Sequence, residues 1–262
     1  LFLFLNLMTC HYPYHAPAGY ASSEPLDVQP LELTVRDDPV SVEEKERQID
    51  CYRGCARYLD EMLPGLIDAI DWDVLFILSD HGELFGEYGL WGHQYGVYEE
   101  LTHVPAVALG DAVPEGKVDE QTSILDVHRT LLHVAGMKPG SSARGVPLFA
   151  PDINRADPVY AESVRSEWFS PDATGIEARV PHSWDEEHYM LRTDRGMLIV
   201  DKDGTRAIDP DSGDVLPDRV ERSLLADVEA LRASRQELSS EASPSDEVPT
   251  AIKDRLESLG YR

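Results

Sequence analysis

Ser79-Asp80-His81-Gly82-Glu83 puts a carboxylate beside an imidazole directly after the apolar run Val74–Leu78. An Asp at a strand end can give a carboxylate oxygen to a divalent cation. The adjacent His can give it a ring nitrogen, or hydrogen-bond an anion that the cation holds. Thirteen residues beyond Asp80 stands His93, in Gly89-Leu90-Trp91-Gly92-His93, and His11 follows the apolar run that begins the chain. Imidazoles can donate to the oxygens of a sulfuryl or phosphoryl group, or protonate a leaving alkoxide. Singly, each has a plainer reading. Asp-His-Gly suits a capped turn, and each His suits a loop histidine with its hydrogen bonds satisfied. Taken together, three histidines and one Asp can converge on an anionic substrate.

Several elements must position these groups. Leu1–Met8 and Val74–Leu78 read as buried strands, and Val104–Leu109 as a third. Ile49, Tyr52, Ala56, Leu59, Leu63, Leu66 and Ile70 recur at helical spacing, and Pro64-Gly65 is expected to kink or break that helix. Ser123 and Asp126 form a capping-box pattern for a helix that stops at Gly136. Strands alternating with helices predict an α/β core with a mostly parallel sheet. Open sheets of that kind bind ligands at the carboxyl ends of their strands, where Asp80 stands.

The texture changes after residue 155. Short strand-like runs at Pro158–Ala161, Tyr189–Thr193 and Met197–Val200, a turn at Asp203-Gly204 and an acidic helix over Pro217–Leu238 predict a small α+β unit of antiparallel strands and helix. A Ser-, Glu- and Pro-bearing linker and a short last helix ending at Leu259-Gly260-Tyr261 complete the expectation. The chain thus divides into an α/β portion, 1–155, and a C-terminal unit, 156–262.

Composition narrows the function. Asp and Glu total 49 against 23 Lys and Arg, a net charge of -26 spread along the chain. No basic patch exists to bind nucleic acid or an anionic membrane. An acidic cytosolic protein and a protein of a high-salt cell both fit, and the even spread of acid favours the second. Cys10, Cys51 and Cys55 make no disulfide framework in a chain of this size; Cys51 and Cys55 read as buried thiols on one helix face. The opening run lacks the basic segment of a signal peptide and is too short to span a bilayer. A cytoplasmic location is expected, as is sequence preceding a strand that opens so abruptly.

The ordered series of motifs resembles the sulfatase family of the alkaline phosphatase superfamily, with its phosphonate monoester hydrolase relatives. Phe4-Leu5-Asn6-Leu7-Met8 through His11-Tyr12-Pro13-Tyr14 is similar to that family's strand and His-x-Pro-Tyr loop. Tyr58-Leu59-Asp60, Ser79-Asp80-His81-Gly82-Glu83, Gly86–Trp91 and Tyr98-Glu99-Glu100 through Val104-Pro105 follow in family order, then Leu125-Asp126 and Ala135-Gly136. The resemblance implies an alkaline-phosphatase-like fold and hydrolysis of small-molecule or carbohydrate sulfate esters, with phosphodiester or phosphonate hydrolysis, or phosphoglycerol transfer, as the alternative. A non-catalytic binding protein is the alternative of another class. It also implies that Asp80 and His81 complete a site for a divalent cation: calcium in sulfatases, manganese or zinc in the phosphonate hydrolases. His11 and His93 would act on the transferred group, His93 standing where many members carry Lys. The family's nucleophile, a Cys or Ser in Cys/Ser-x-Pro/Ala-x-Arg converted to formylglycine, has no match in these residues. The resemblance implies that it, and two further metal-binding Asp residues, precede the chain, and that the chain alone is inactive.

Overall fold

The computed structural model describes residues 1–140, 143–149, 158–163, 179–180, 187–201 and 203–241. The expected last helix and most of its linker lie outside them. Two regions emerge. The first begins with a 3-10 turn at Met8–Cys10 and contains α1 (Pro30–Val35), α2 (Val42–Asp68), β1 (Leu75–Leu78), β2 (Leu84–Phe85), β3 (Trp91–Gly92), α3 (Glu99–Thr102), β4 (Ala106–Leu109) and α4 (Ile124–Val134). The second contains β5 (Val159–Ser163), β6 (His188–Thr193), β7 (Gly196–Asp201), β8 (Gly204–Ile208) and α5 (Asp218–Glu241).

Three sequence expectations are corrected in the first region. Leu1–Leu7 forms no strand, and Leu1 through Leu5 are exposed. None of the described strands pairs with this run, and a buried strand needs neighbours. The parallel pairing is also absent among the described strands: β1 pairs antiparallel with β4, Leu75 facing Leu109 and Leu78 facing Ala106. Parallel pairing needs a crossover, usually a long helix. Residues 79–105 hold the β2–β3 hairpin, a 3-10 turn at Glu87–Gly89 and the one-turn α3, with no helix long enough to serve as a crossover. Finally, of the kink or break expected at Pro64-Gly65, the break does not occur: α2 runs through Pro64. Pro64 lies in the last turn and a half, so one missing N–H interrupts little of the ladder.

The capping chemistry is local and forms as written. Ser41 Oγ accepts from the Glu44 amide at 3.2 Å, and Glu44 accepts from the Ser41 amide at 2.8 Å. The Arg36 guanidinium, donating to Glu44, and the Ser41 bonds hold that carboxyl down at about 2. The residues of α2 that are fully buried are Gln48, Cys51, Gly54 and Cys55, not the larger apolar residues of the expected face. They meet the loop after residue 10: Cys51 Sγ lies 3.3 Å from the Ser23 carbonyl, and a Cβ at Gly54 would stand 2.8 Å from that of Ala21. Close approach selects these small side chains. All three thiols are free.

The second region is a four-stranded antiparallel sheet ordered β5-β6-β7-β8. Leu191, Leu198 and Ala207 face one another across β6, β7 and β8 and pack on Leu224 and Val228 of α5. Met190, Met197 and Ile199 occupy the other face and pack on Val97 of the first region. Glu99 and Arg192 join the regions by an ion pair at 2.9 Å, and Gln121 donates to the Arg192 carbonyl at 2.7 Å. Among the described residues, no helix is long and apolar enough to cross a membrane.

Candidate active site

A hairpin builds the site. Leu84 pairs with Gly92 and Phe85 with Trp91, so the next cross-strand neighbours are Glu83 and His93. Gly86, at φ 97°, supplies the left-handed conformation at the start of the turn. Before the hairpin, the chain leaves β1 through Ser79, whose hydroxyl donates to the His81 carbonyl at 2.6 Å. The Gly82 amide donates to the Leu101 carbonyl at 2.8 Å, and a Cβ on Gly82 would stand 1.9 Å from the Glu100 oxygen. Glycine is therefore required in Asp-His-Gly by backbone packing on α3.

The four residues singled out in the sequence come together. His81 stacks on His93 with ring centroids 4.1 Å apart, and His11 meets the edge of His93 at 5.4 Å. Asp80 Oδ2 lies 3.7 Å from His81 Nε2, and Asp80 Oδ1 accepts from the His81 amide at 3.0 Å. His11 is carried by the 3-10 turn and not by a strand.

The three rings share one feature. His11 Nδ1 lies 2.7 Å from the Tyr12 carbonyl, His81 Nδ1 lies 2.9 Å from the Gly82 carbonyl, and His93 Nδ1 lies 3.1 Å from Glu83 Oε2. Each acceptor calls for N–H at Nδ1, which leaves Nε2 outside these bonds; that of His81 lies 3.7 Å from Asp80 Oδ2. A neutral ring then offers a lone pair at Nε2, to a metal or a proton; an imidazolium offers a donor. Asp80 and His81 therefore supply two donor atoms suited to one cation. Among the described residues there is no cluster of three or more His, Cys, Asp or Glu that could hold a metal ion.

Sequence reasoning gave no role to Glu83 or to Tyr14. The Glu83 side chain is 4% exposed. Tyr14 is buried beside it, and burial, then the charge and hydrogen bond of Glu83, push the Tyr14 phenol far above its ordinary ionisation. The signal for Glu83 was its place in the motif, directly after Asp-His-Gly. The hairpin register, which gives it its partner, cannot be read from the motif.

The family model described as Sulfatase matches residues 1–137. The chain belongs to the sulfatase family. Choline-sulfatase of Rhizobium meliloti (strain 1021) is 29% identical over 143 residues, 50% of this chain and 28% of that protein. The low-salt glycan biosynthesis sulfotransferase Agl7 of Haloferax volcanii is 31% identical over 198 residues, 71% of this chain and 46% of that protein. Among solved structures, a phosphonate monoester hydrolase from Silicibacter pomeroyi superposes with a TM-score of 0.55 at 20% identity, covering 87% of this chain and 53% of that one. The alkaline-phosphatase-like fold class inferred from the sequence holds, with its C-terminal antiparallel sheet. The chain spans about half or less of the length of these relatives.

Proposed function

We propose that in its full-length form this sulfatase-family protein hydrolyses sulfate esters, with a divalent cation held in part by Asp80 and His81. The observation that carries this is the convergence of His11, His81 and His93 beside Asp80, each ring tied back through Nδ1 with Nε2 left over. As imidazoliums, with hydrogen on Nε2 as well as Nδ1, His11 and His93 donate to the sulfuryl oxygens, and His11 gives its Nε2 proton to the leaving oxygen and ends as the neutral Nδ1–H ring. The cation, with calcium the first candidate and manganese or zinc the alternatives, supplies Lewis-acid polarisation of the sulfuryl group when bound. Phosphonate or phosphodiester hydrolysis uses the same groups, and the nucleophile decides between them. Transfer of the sulfuryl group to a glycan instead of water is a second reading, favoured by the Haloferax volcanii sulfotransferase, which aligns with 71% of this chain.

The test is an assay of the full-length form against an aryl sulfate, an aryl phosphonate and an acceptor glycan. Sulfate turnover abolished by a chelator and lowered in Asp80→Asn supports the proposal. Phosphonate turnover without sulfate turnover overturns it. The proposal also holds that the protein is cytoplasmic, divides near residue 155 and works in high salt, the last supported by the net charge of -26. Molar salt shortens the screening length to roughly 3 Å and should relieve repulsion among its carboxylates. A melting temperature unchanged between dilute buffer and molar salt would rule out the high-salt adaptation.

A further inference from the structure

We infer that Glu83 is a positioning residue: its buried carboxylate holds His93 in the Nδ1–H form and so presents Nε2 at the mouth shared with His11 and His81. The hairpin register makes Glu83 and His93 cross-strand neighbours, because the pairs Leu84–Gly92 and Phe85–Trp91 fix the ladder on which they are the next rung. Both carboxylate oxygens face one ring atom, Oε2 at 3.1 Å and Oε1 at 3.3 Å from Nδ1. A carboxylate only accepts, so the atom it meets carries hydrogen. The carboxylate is itself held. Its side chain is 4% exposed, and the Tyr14 phenol bears on it from the packed cluster of Tyr14, Cys51 and Cys55. The His93 side chain is 21% exposed, so the ring reaches the mouth while its anchor stays out of water.

The other two rings sharpen the point. His11 and His81 make the same choice of nitrogen with backbone carbonyls of adjacent residues, a purely local device. His93 has a side chain from the opposite strand as its acceptor, so its orientation depends on one replaceable residue. Such outer partners fix the tautomer and direction of a functional imidazole. That the presented Nε2 meets a sulfuryl oxygen rests on the function proposed above; the assignment of the tautomer does not.

The experiment is nitrogen-15 NMR of the 262-residue chain, reading the ring-nitrogen pattern of His93 above the pH range in which imidazole titrates, with the signal assigned by its loss in His93→Asn. The wild-type chain is expected to carry the proton on Nδ1. In Glu83→Leu the proton should move to Nε2 or average between the two nitrogens. A wild-type His93 protonated on Nε2 overturns the inference, and this holds even if Glu83→Leu fails to fold. A folded Glu83→Leu chain that keeps the wild-type pattern overturns it as well. Inorganic sulfate, added as a probe below that pH range, where the ring is an imidazolium and Nε2 carries a hydrogen to donate, should shift the His93 signals, and Glu83→Leu should weaken that response by about 10–100-fold. Equal sulfate affinity in the two chains removes the positioning role. A His93 that carries its proton on Nδ1 but ignores sulfate supports the tautomer assignment and counts against the sulfate-site proposal instead.

Discussion

The C-terminal sheet and the β1–β4 pair of the first region are enclosed to different degrees. In the C-terminal sheet, Leu191, Leu198 and Ala207 have no exposure at all, nor has Leu224 of α5 packed on them, and apolar side chains pack on both faces. In the region that bears the histidines, Leu78, Val107 and Leu109 of the β1–β4 pair are 36%, 51% and 37% exposed, and Ile124 and Leu125 of α4 are 45% and 52% exposed. The hairpin beneath the histidines packs in an apolar cluster of its own, Leu31, Leu84, Leu90, Tyr95, Tyr98 and Leu101. What orients the histidines on it is a set of directed polar contacts: imidazoles on acceptors, a carboxylate on an imidazole, and a glycine amide on a carbonyl. Close-packed apolar cores resist any change of volume. Polar mouths resist only changes that remove a partner, and they leave groups free to meet a ligand.

The same truncation in both regions puts the largest strain on this contrast. Leu198→Ala should cost about 2–5 kcal/mol in urea unfolding, as for a fully enclosed leucine. Leu109→Ala should cost about 1–2 kcal/mol, because more than a third of its surface already meets water. Equal costs would mean that β4 is enclosed as fully as β7.

His93→Ala should act on turnover first. Turnover by the full-length form is expected to fall ~10²–10³-fold, as for a lost oxyanion donor, and unfolding should ease by about 1–3 kcal/mol, because the buried Glu83 carboxylate loses its partner. Full activity would reduce His93 to a loop residue held by Glu83.

A polar contact inside the sheet region tests whether chemistry or location sets the cost. Asp201, with no side-chain exposure, accepts from Arg206 at 2.8 and 2.9 Å. Burial alone would raise its carboxyl. The Arg206 bonds and the Asp203 amide outweigh burial and hold it below the ordinary carboxylate value. A lowered folded value means that the stabilisation is complete above the unfolded carboxylate value, near 3.9, and is lost as pH falls through the folded one. Arg206→Ala should cost about 1.5–3 kcal/mol at neutral pH and flatten the acid limb of stability. An acid limb unchanged in this variant would show that the pair contributes nothing in that range.

The smallest effect belongs to a cap in the first region. Ser123 Oγ accepts from the Leu125 amide at 3.3 Å, and Asp126 accepts from the Ser123 amide at 2.8 Å. Ser123→Ala should cost ~1 kcal/mol in thermal unfolding. A loss as large as that of Leu198→Ala would make α4 a keystone of the region, contrary to the exposure of Ile124 and Leu125.

The sequence was most informative where the signal is local. The capping boxes at Ser41 and Ser123 need only three residues of spacing, and the second forms where it was read. The turn at Asp203-Gly204 and the runs beside it announced the hairpin of β7 and β8, with Asp201 facing Gly204. His11, Asp80, His81 and His93 were legible as chemistry-bearing types in a family order. The failures came where a residue's environment is set by distant chain. An apolar run such as Leu1–Met8 has the composition of a buried strand, but burial depends on neighbours that composition does not contain. The buried stripe of α2 was misplaced because close backbone approach, which favours Cys and Gly, overrode side-chain bulk.

By itself, then, the sequence determined the fold class, the residue types and family order of His11, Asp80, His81 and His93, and the local signals that start helices and turn strands. Tertiary structure alone decided which way β1 and β4 pair, which helix face is buried, and which nitrogen of His93 is committed. The reason is range. Capping and turn chemistry act over a few residues, so they are written in consecutive letters. Strand pairing joins Leu75 to Leu109, and ring contact joins His11 to His93, across chain whose path no short pattern specifies. Glu83 lies on that boundary: its letter stands in the motif, and its partner, ten residues on, is chosen by the register of a hairpin.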